Sequence, residues 1–148
     1  MIANEPGARQ ELGHHFKLPL RVYYEDTDAA GVVYYANYLR FCERARTEFL
    51  RALGFEQQQL LIERRIGFVV KSVRAEYISP ARLDDQLSVD TRITKLGGAS
   101  MVFDQNVMRG AELLFDSSIS IACVDTTRQR PTALPADLRT LLKATVQL

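Results

Sequence analysis

The sequence has no tryptophan, two histidines, two cysteines and five prolines among its 148 residues. It also has no apolar run of the roughly 20 residues that a membrane-spanning helix needs. These scarcities exclude several classes. Cys42 and Cys123 lie far apart inside apolar segments and form no CxxC pair, so a disulfide framework or a cysteine redox motif is not available, and a reduced cytosolic thiol pair is expected. The acidic triplet Glu25, Asp26 and Asp28 lacks histidine or further clustered carboxylates to complete a ligand set, so no metal site is expected. Net charge is +1, and basic residues alternate with acidic ones, which leaves no electrostatic footprint for a nucleic-acid partner. Met1 to Lys17 carries Pro6, Gly7, Gly13 and several charges in place of the apolar core of a signal peptide. The expectation is a polar tail over residues 1–17 and a single cytoplasmic domain over residues 18–148. A chain of this length buries roughly 70% of its unfolded surface, enough for one core.

What is present is a strong set of periodicities. Leu18 to Glu25 carries Val22, Tyr23 and Tyr24 and predicts a first strand, broken by a turn-rich stretch from Asp26 to Gly31. From Asn37 to Leu53 the apolar positions Tyr38, Phe41, Ala45, Phe49, Ala52 and Leu53 recur at three- and four-residue steps. This predicts a long one-faced helix that stops at Gly54. Glu56 to Arg64 predicts a second, shorter helix. Beyond it the period becomes two: Gly67 to Ser79 reads as a strand, Leu87, Val89, Thr91 and Ile93 alternate with polar residues, Met101, Phe103 and Gln105 do the same, and Phe115 through Cys123 continue the pattern. Gly97-Gly98 and Arg109-Gly110 are turns, Pro80 to Asp85 is the expected first turn of a four-strand meander, and Leu134 to Lys143 is a closing helix. The fold class is α+β, with a long helix packed against a curved five-stranded antiparallel sheet. Such a sheet has open edges, so pairing with a second copy is expected.

The unusual stretch is Tyr23 to Tyr38, YYEDTDAAGVVYYANY. Three carboxylates precede a small-residue turn and an aromatic run that leads into the long helix. Asp28, followed by Ala29, Ala30 and Gly31, sits where the backbone can approach a ligand closely, and amides at the helix start point outward without intrahelical partners. An oxyanion would fit there. The competing reading is that Asp26 and Asp28 cap turns and Asn37 caps the helix. His14 and His15 read as exposed tail residues. Cys42 reads as a buried structural thiol, and Glu43 with Arg44 as an exposed helix pair.

The segment RVYYEDTDAAGVVYYANYLRFCERARTEFL resembles the signature of hotdog-fold acyl-CoA thioesterases of the 4-hydroxybenzoyl-CoA thioesterase type, most closely the YbgC-like, Tol-Pal-associated branch. The resemblance continues through FVVKSVRAEYISPARLDDQL and ends near CVDTTRQRPTALP. It implies a hotdog fold and hydrolysis of acyl-CoA, with Asp28 as nucleophile or general base and the backbone N–H of Tyr35 polarising the thioester carbonyl. Two positions depart from the family pattern. Many YbgC-like members carry histidine where this chain has Tyr35, and many carry a second glycine where it has Ala30.

Thioester hydrolysis suits so sparse a site, because a thiolate with a conjugate-acid pKa near ~8.5 leaves without strong acid assistance. No cofactor is implied, since CoA is part of the substrate; acyl carrier protein is an alternative carrier. For the CoA phosphates, Arg82, Lys95 and the turn of Gly97, Gly98 and Ser100 are candidate donors, with an ordinary hairpin between solvated charges as the competing reading. Gly31 is a further candidate for the substrate site, and Val70 and Ser72 lie on the strand that would flank the pantetheine arm, with core packing as the alternative. A homodimer or homotetramer is expected, and the resemblance implies a nucleotide at the surface between subunits. Two other functions fit less well: a hotdog hydratase or dehydratase, which needs a second acid or base beside Asp28, and a non-catalytic acyl-CoA-binding or scaffold protein.

Overall fold

The apolar stripe of the long helix organises the molecule. A computed structural model describes residues 15–146; most of the expected polar tail, His14 included, lies outside the described residues. In chain order the elements are β1 (Phe16–Arg21), α1 (Asn37–Ala52), α2 (Gln57–Arg64), β2 (Ile66–Tyr77), β3 (Gln86–Leu96), β4 (Ser100–Arg109), β5 (Glu112–Asp125), β6 (Arg130–Pro131) and α3 (Ala136–Thr145). No helix among the described residues is long and apolar enough to cross a membrane.

Helix α1 buries Tyr38, Phe41, Cys42, Ala45, Phe49 and Leu50 against the sheet. Phe49 meets Phe16 of β1 and Phe103 of β4 edge-on, each at 5.9 Å between ring centroids, and Tyr38 stacks on Phe115 of β5 at 5.1 Å. The helix stops where glycine allows it. Gly54 sits at φ +97°, its N–H bonds to the Arg51 carbonyl and the Phe55 N–H bonds back to Leu50, the paired closure of a glycine-terminated helix. One polar cluster is embedded in this apolar interface. Arg46 donates from Nη1 to Oε1 of Gln105 at 2.9 Å, Gln105 Nε2 donates to the Cys42 carbonyl and to Thr91 Oγ1, both at 2.9 Å, and Ser117 Oγ donates to the Gln105 carbonyl at 2.8 Å. Directional bonds of this kind fix how α1 lies on β3, β4 and β5, which apolar contact alone does not.

The long strands run in the order β1-β3-β4-β5-β2, with the two-residue β6 added beside β5, and all pairs are antiparallel. In β3 the residues Leu87, Val89, Thr91 and Ile93 are buried in strict alternation, as the period of two requires. The expected four-strand meander is corrected to three strands. β2 pairs with β5 across the far edge, and its expected neighbour β3 pairs instead with β1 and β4. The segment from Ile78 to Asp85 is therefore a crossover, not a hairpin turn. It is too long for a tight turn and carries Pro80, and its Ala81 N–H donates to the Tyr38 hydroxyl while its Ala81 carbonyl accepts from Val33. The chain is thus tied to the loop before α1 and led across to β3, next to the opposite edge strand β1.

Smaller corrections concern boundaries. β1 begins at Phe16 and ends at Arg21, and Tyr24–Asp26 forms a 3-10 turn where a strand end was expected. His15 is half-buried and bonds through Nδ1 to Asp90 at 2.8 Å; it is no free tail residue. The closing helix α3 buries Leu138 and Leu142 and is clamped to α2 by Arg64, whose guanidinium forks onto both oxygens of Asp137 at 2.8 Å. The Arg64 hydrogen bonds, chiefly, hold the Asp137 carboxyl down at about 2. A carboxyl lowered in the folded state favours folding above its ordinary range, and that contribution disappears as pH falls through the lowered value. An NMR titration should place the Asp137 midpoint at about 2, and Arg64→Leu should return it to the ordinary carboxylate range.

Candidate active site

Between β1 and α1 the chain makes a small two-stranded loop. Thr27 bridges Val33 in antiparallel fashion, the Asp28 N–H donates to the Val32 carbonyl at 2.9 Å, and the Gly31 N–H donates to the Asp28 carbonyl at 3.0 Å. Gly31 takes φ +81° at the tip, a left-handed conformation that glycine adopts without strain. The Asp28 side chain is exposed. Its Oδ1 accepts from the Ala30 N–H at 2.9 Å, the local turn bond that aspartate makes in loops. Its second oxygen has no donor among the described residues and is open to a substrate or a water.

Asp26, two residues earlier, has the opposite character. It is buried, at 8% exposure, and its Oδ2 accepts from the Tyr23 N–H at 2.8 Å. Its main-chain carbonyl accepts from the Tyr34 N–H and from Nδ2 of Asn37, each at 2.9 Å. Asn37 therefore does not cap α1, as the sequence suggested; it is the first helical residue, Ala36 holds the cap position without a side-chain bond, and the Asn37 amide anchors the loop. Of the two aspartates, Asp26 is committed to structure.

Tyr35 and Ala36 form the turn into α1. The Tyr35 N–H has no protein acceptor among the described residues, while its carbonyl accepts from the Tyr77 hydroxyl at 2.8 Å. Tyr35, Tyr38, Tyr77, Ser79 and Pro80 line an adjoining cleft of about 230 Å³. Asp28 does not line that cleft; it stands on the loop that delivers the chain to it. Burial pushes the pKa of Tyr38 and of Tyr77 above the ordinary phenol value, so both hydroxyls stay protonated. Sequence reasoning missed Tyr77, Ser79 and Pro80. The available signal was an aromatic residue at the end of a strand just before a proline, which became informative only once the crossover was known.

The remaining candidates divide. Arg82 is exposed and bridges Val32 of the Asp28 loop, so the fold brings it to the site. Val70 and Ser72 flank a bulge at Lys71 in β2, about 20 Å along the strand from Tyr77 at ~3.3 Å per residue. Lys95, Gly97, Gly98 and Ser100 lie at the other end of β3 from the Asp28 loop, roughly 30 Å away along that strand within one copy. There the Gly98 carbonyl accepts from Leu134 and Gly97 pairs with Ser100. Cys42 is fully buried and burial pushes its thiol up to about 11; it remains a protonated thiol at neutral pH and no nucleophile. Among the described residues no cluster of three metal-ligating side chains occurs.

Comparison with known proteins gives a consistent result. The model of the thioesterase-like superfamily matches residues 22–142. The acyl-CoA thioesterase YbgC of Haemophilus influenzae is 48% identical over 128 residues, covering 86% of this chain and 94% of that protein. The long-chain acyl-CoA thioesterase FadM of Escherichia coli K12 is 31% identical over 114 residues, covering 76% of this chain and 85% of its own length. Among solved structures, a probable thioesterase from Bartonella henselae superposes with a TM-score of 0.78 at 37% identity, covering 82% of this chain and 99% of that one.

The two aspartates should separate cleanly in urea unfolding. Asp26→Ala, which strips an acceptor from a buried turn, should cost about 1–2 kcal/mol. Asp28→Asn should stay within about 0.5 kcal/mol of wild type, as exposed substitutions do.

Proposed function

This chain belongs to the thioesterase-like superfamily, and from that membership we propose that it hydrolyses acyl-CoA thioesters to a free acid and CoA at the Asp28–Tyr35 loop. The observation that carries the assignment of residues is the pairing of an exposed carboxylate having one oxygen free with an unpartnered main-chain N–H at Tyr35, beside a cleft at the start of α1.

In this reading the thioester carbonyl oxygen accepts from the Tyr35 N–H, which stabilises the negative charge that grows there as the carbonyl carbon becomes tetrahedral. Two routes then use Asp28. It accepts a proton from a water that attacks the carbon, or it attacks directly to give a mixed anhydride that water opens in a second step. In both, the C–S bond breaks and CoA leaves as a thiolate that is protonated from solvent. Tyr35 in place of the family's histidine leaves the main-chain donor intact. No cofactor takes part; CoA is a portion of the substrate, and acyl carrier protein is the alternative carrier.

Assembly belongs to the same proposal. β2 is an edge strand of 12 residues with Val69, Val70, Val73 and Tyr77 exposed, and an uncovered apolar edge of that length favours pairing with a second copy. Antiparallel pairing of two β2 edges would carry one copy's Lys95, Gly97, Gly98 and Ser100 to the end of the sheet that holds the other copy's Asp28, Gly31 and Arg82. The nucleotide would then lie between copies, with Val70 and Ser72 along the shared edge. A homodimer, or a homotetramer built from it, working in the cytoplasm completes the reading.

Thiol release from a panel of acyl-CoA and acyl carrier protein thioesters tests it. Asp28→Asn should lower kcat by about 10²–10⁴, whereas Tyr35→Phe should keep kcat within a factor of about three, because the donor is main chain. Full-rate hydrolysis by Asp28→Asn would remove the assignment. Wild-type protein that binds CoA yet releases no thiol from any thioester would be a binding module.

A further inference from the structure

We infer that the cavity between α1 and β2 is a binding site for an alkyl monocarboxylate, with Arg46 receiving the carboxylate and the apolar walls receiving the chain. The cavity has a volume of about 310 Å³, at the lower end of the range for small-molecule sites, roughly 300–1,000 Å³. Leu50, Phe68, Val70, Phe103 and Ile121 give it apolar walls, and Arg46 supplies a charge.

That charge is what identifies the occupant. Arg46 is 8% exposed and its guanidinium carries a fixed fork of N–H donors, of which Nη1 is used on Gln105. Among the described residues no carboxylate lies within ion-pair distance of it. Burial chiefly, opposed by the nearby Glu43 carboxylate, lowers the affinity of this guanidinium for its proton, yet arginine keeps its charge in proteins. A buried cation that makes no direct ion pair is costly, and an entering carboxylate would satisfy the remaining donors in the two-point geometry that suits both partners. Glu43, exposed one turn earlier on α1, also lines the cavity. Its negative charge at the rim disfavours a dianion and leaves a monoanion as the better guest. Apart from Arg46, Glu43 and Gln57, the described residues that line the cavity are apolar, and so is the remainder of the guest.

The inference stands on this cavity alone and is read by a measurement that needs no turnover, so its outcome is separate from that of the thiol-release assay. Its connection to the proposed activity is chemical: hydrolysis of an acyl thioester releases a molecule of this class. Isothermal titration calorimetry with octanoate and, in parallel, 1-octanol is the test. Wild-type protein should bind octanoate, and octanol about tenfold or more weakly, reflecting the lost charge-assisted pair. Arg46→Met should lose the preference for the acid. Because that change opens a buried network, Val70→Trp provides a second arm: the substitution fills the cavity from an exposed strand position, and folded Val70→Trp protein should lose octanoate binding. Absence of octanoate binding to the wild type, equal binding of octanol, or undiminished octanoate binding by Val70→Trp would each overturn the inference.

Discussion

The main-chain oxygen of Asp26 is the point on which the site depends. It accepts from the Tyr34 N–H and from the Asn37 side chain, so the loop's return strand and the first residue of α1 are held to one atom. A loop of this length would otherwise sample many conformations, each ordered residue costing about 1–2 kcal/mol of backbone entropy. With both donors converging on Asp26, the carboxylate of Asp28 is carried on a folded tip and not on a free chain. The same first turn of α1 reaches further: the Tyr38 hydroxyl accepts from Ala81, which ties in the crossover, and Tyr77 reaches back to the Tyr35 carbonyl. Three segments distant in sequence are thus held against one helix start.

This arrangement also explains how two aspartates two residues apart come to do different work. Burial demands that a carboxylate be hydrogen-bonded, and Asp26 meets that demand with Tyr23. Asp28, at an exposed tip, is under no such demand and keeps an oxygen available. The difference follows from solvent exposure, which the local sequence does not encode; in the string EDTDAAG both residues are equally good turn formers.

Periodicity made most of the secondary structure legible. The inward set of β3 and the buried stripe of α1 follow directly from apolar spacing, as does the stop at Gly54, where a left-handed residue was required. Periodicity states which face of a strand is buried, but it does not say which edge finds which neighbour. That is why β2 was expected beside β3 and is found beside β5. Every site residue that depends on the crossover was hidden for the same reason: Tyr77 and Ser79 gain their meaning from contact with Tyr35 and Tyr38, not from anything in their own segment. His15 and Asn37 were misread because their partners, Asp90 and the Asp26 carbonyl, are specified by tertiary pairing.

Helix α1 serves two cavities with two kinds of donor. At its entrance Tyr35, whose N–H has no acceptor among the described residues, lines the cleft, and about three turns later Arg46 lines the second cavity, a separation of about 16 Å at 1.5 Å per residue. β2 walls both, with Tyr77 at one end and Phe68 and Val70 toward the other. In a pair joined antiparallel along β2 the Val70 end of one copy lies toward the Tyr77 end of the other, so each cleft would neighbour its partner's carboxylate cavity. An edge strand that is apolar over most of its length, and therefore unstable in isolation, would in that arrangement become the common wall of a thioester site and a site suited to the acid it releases.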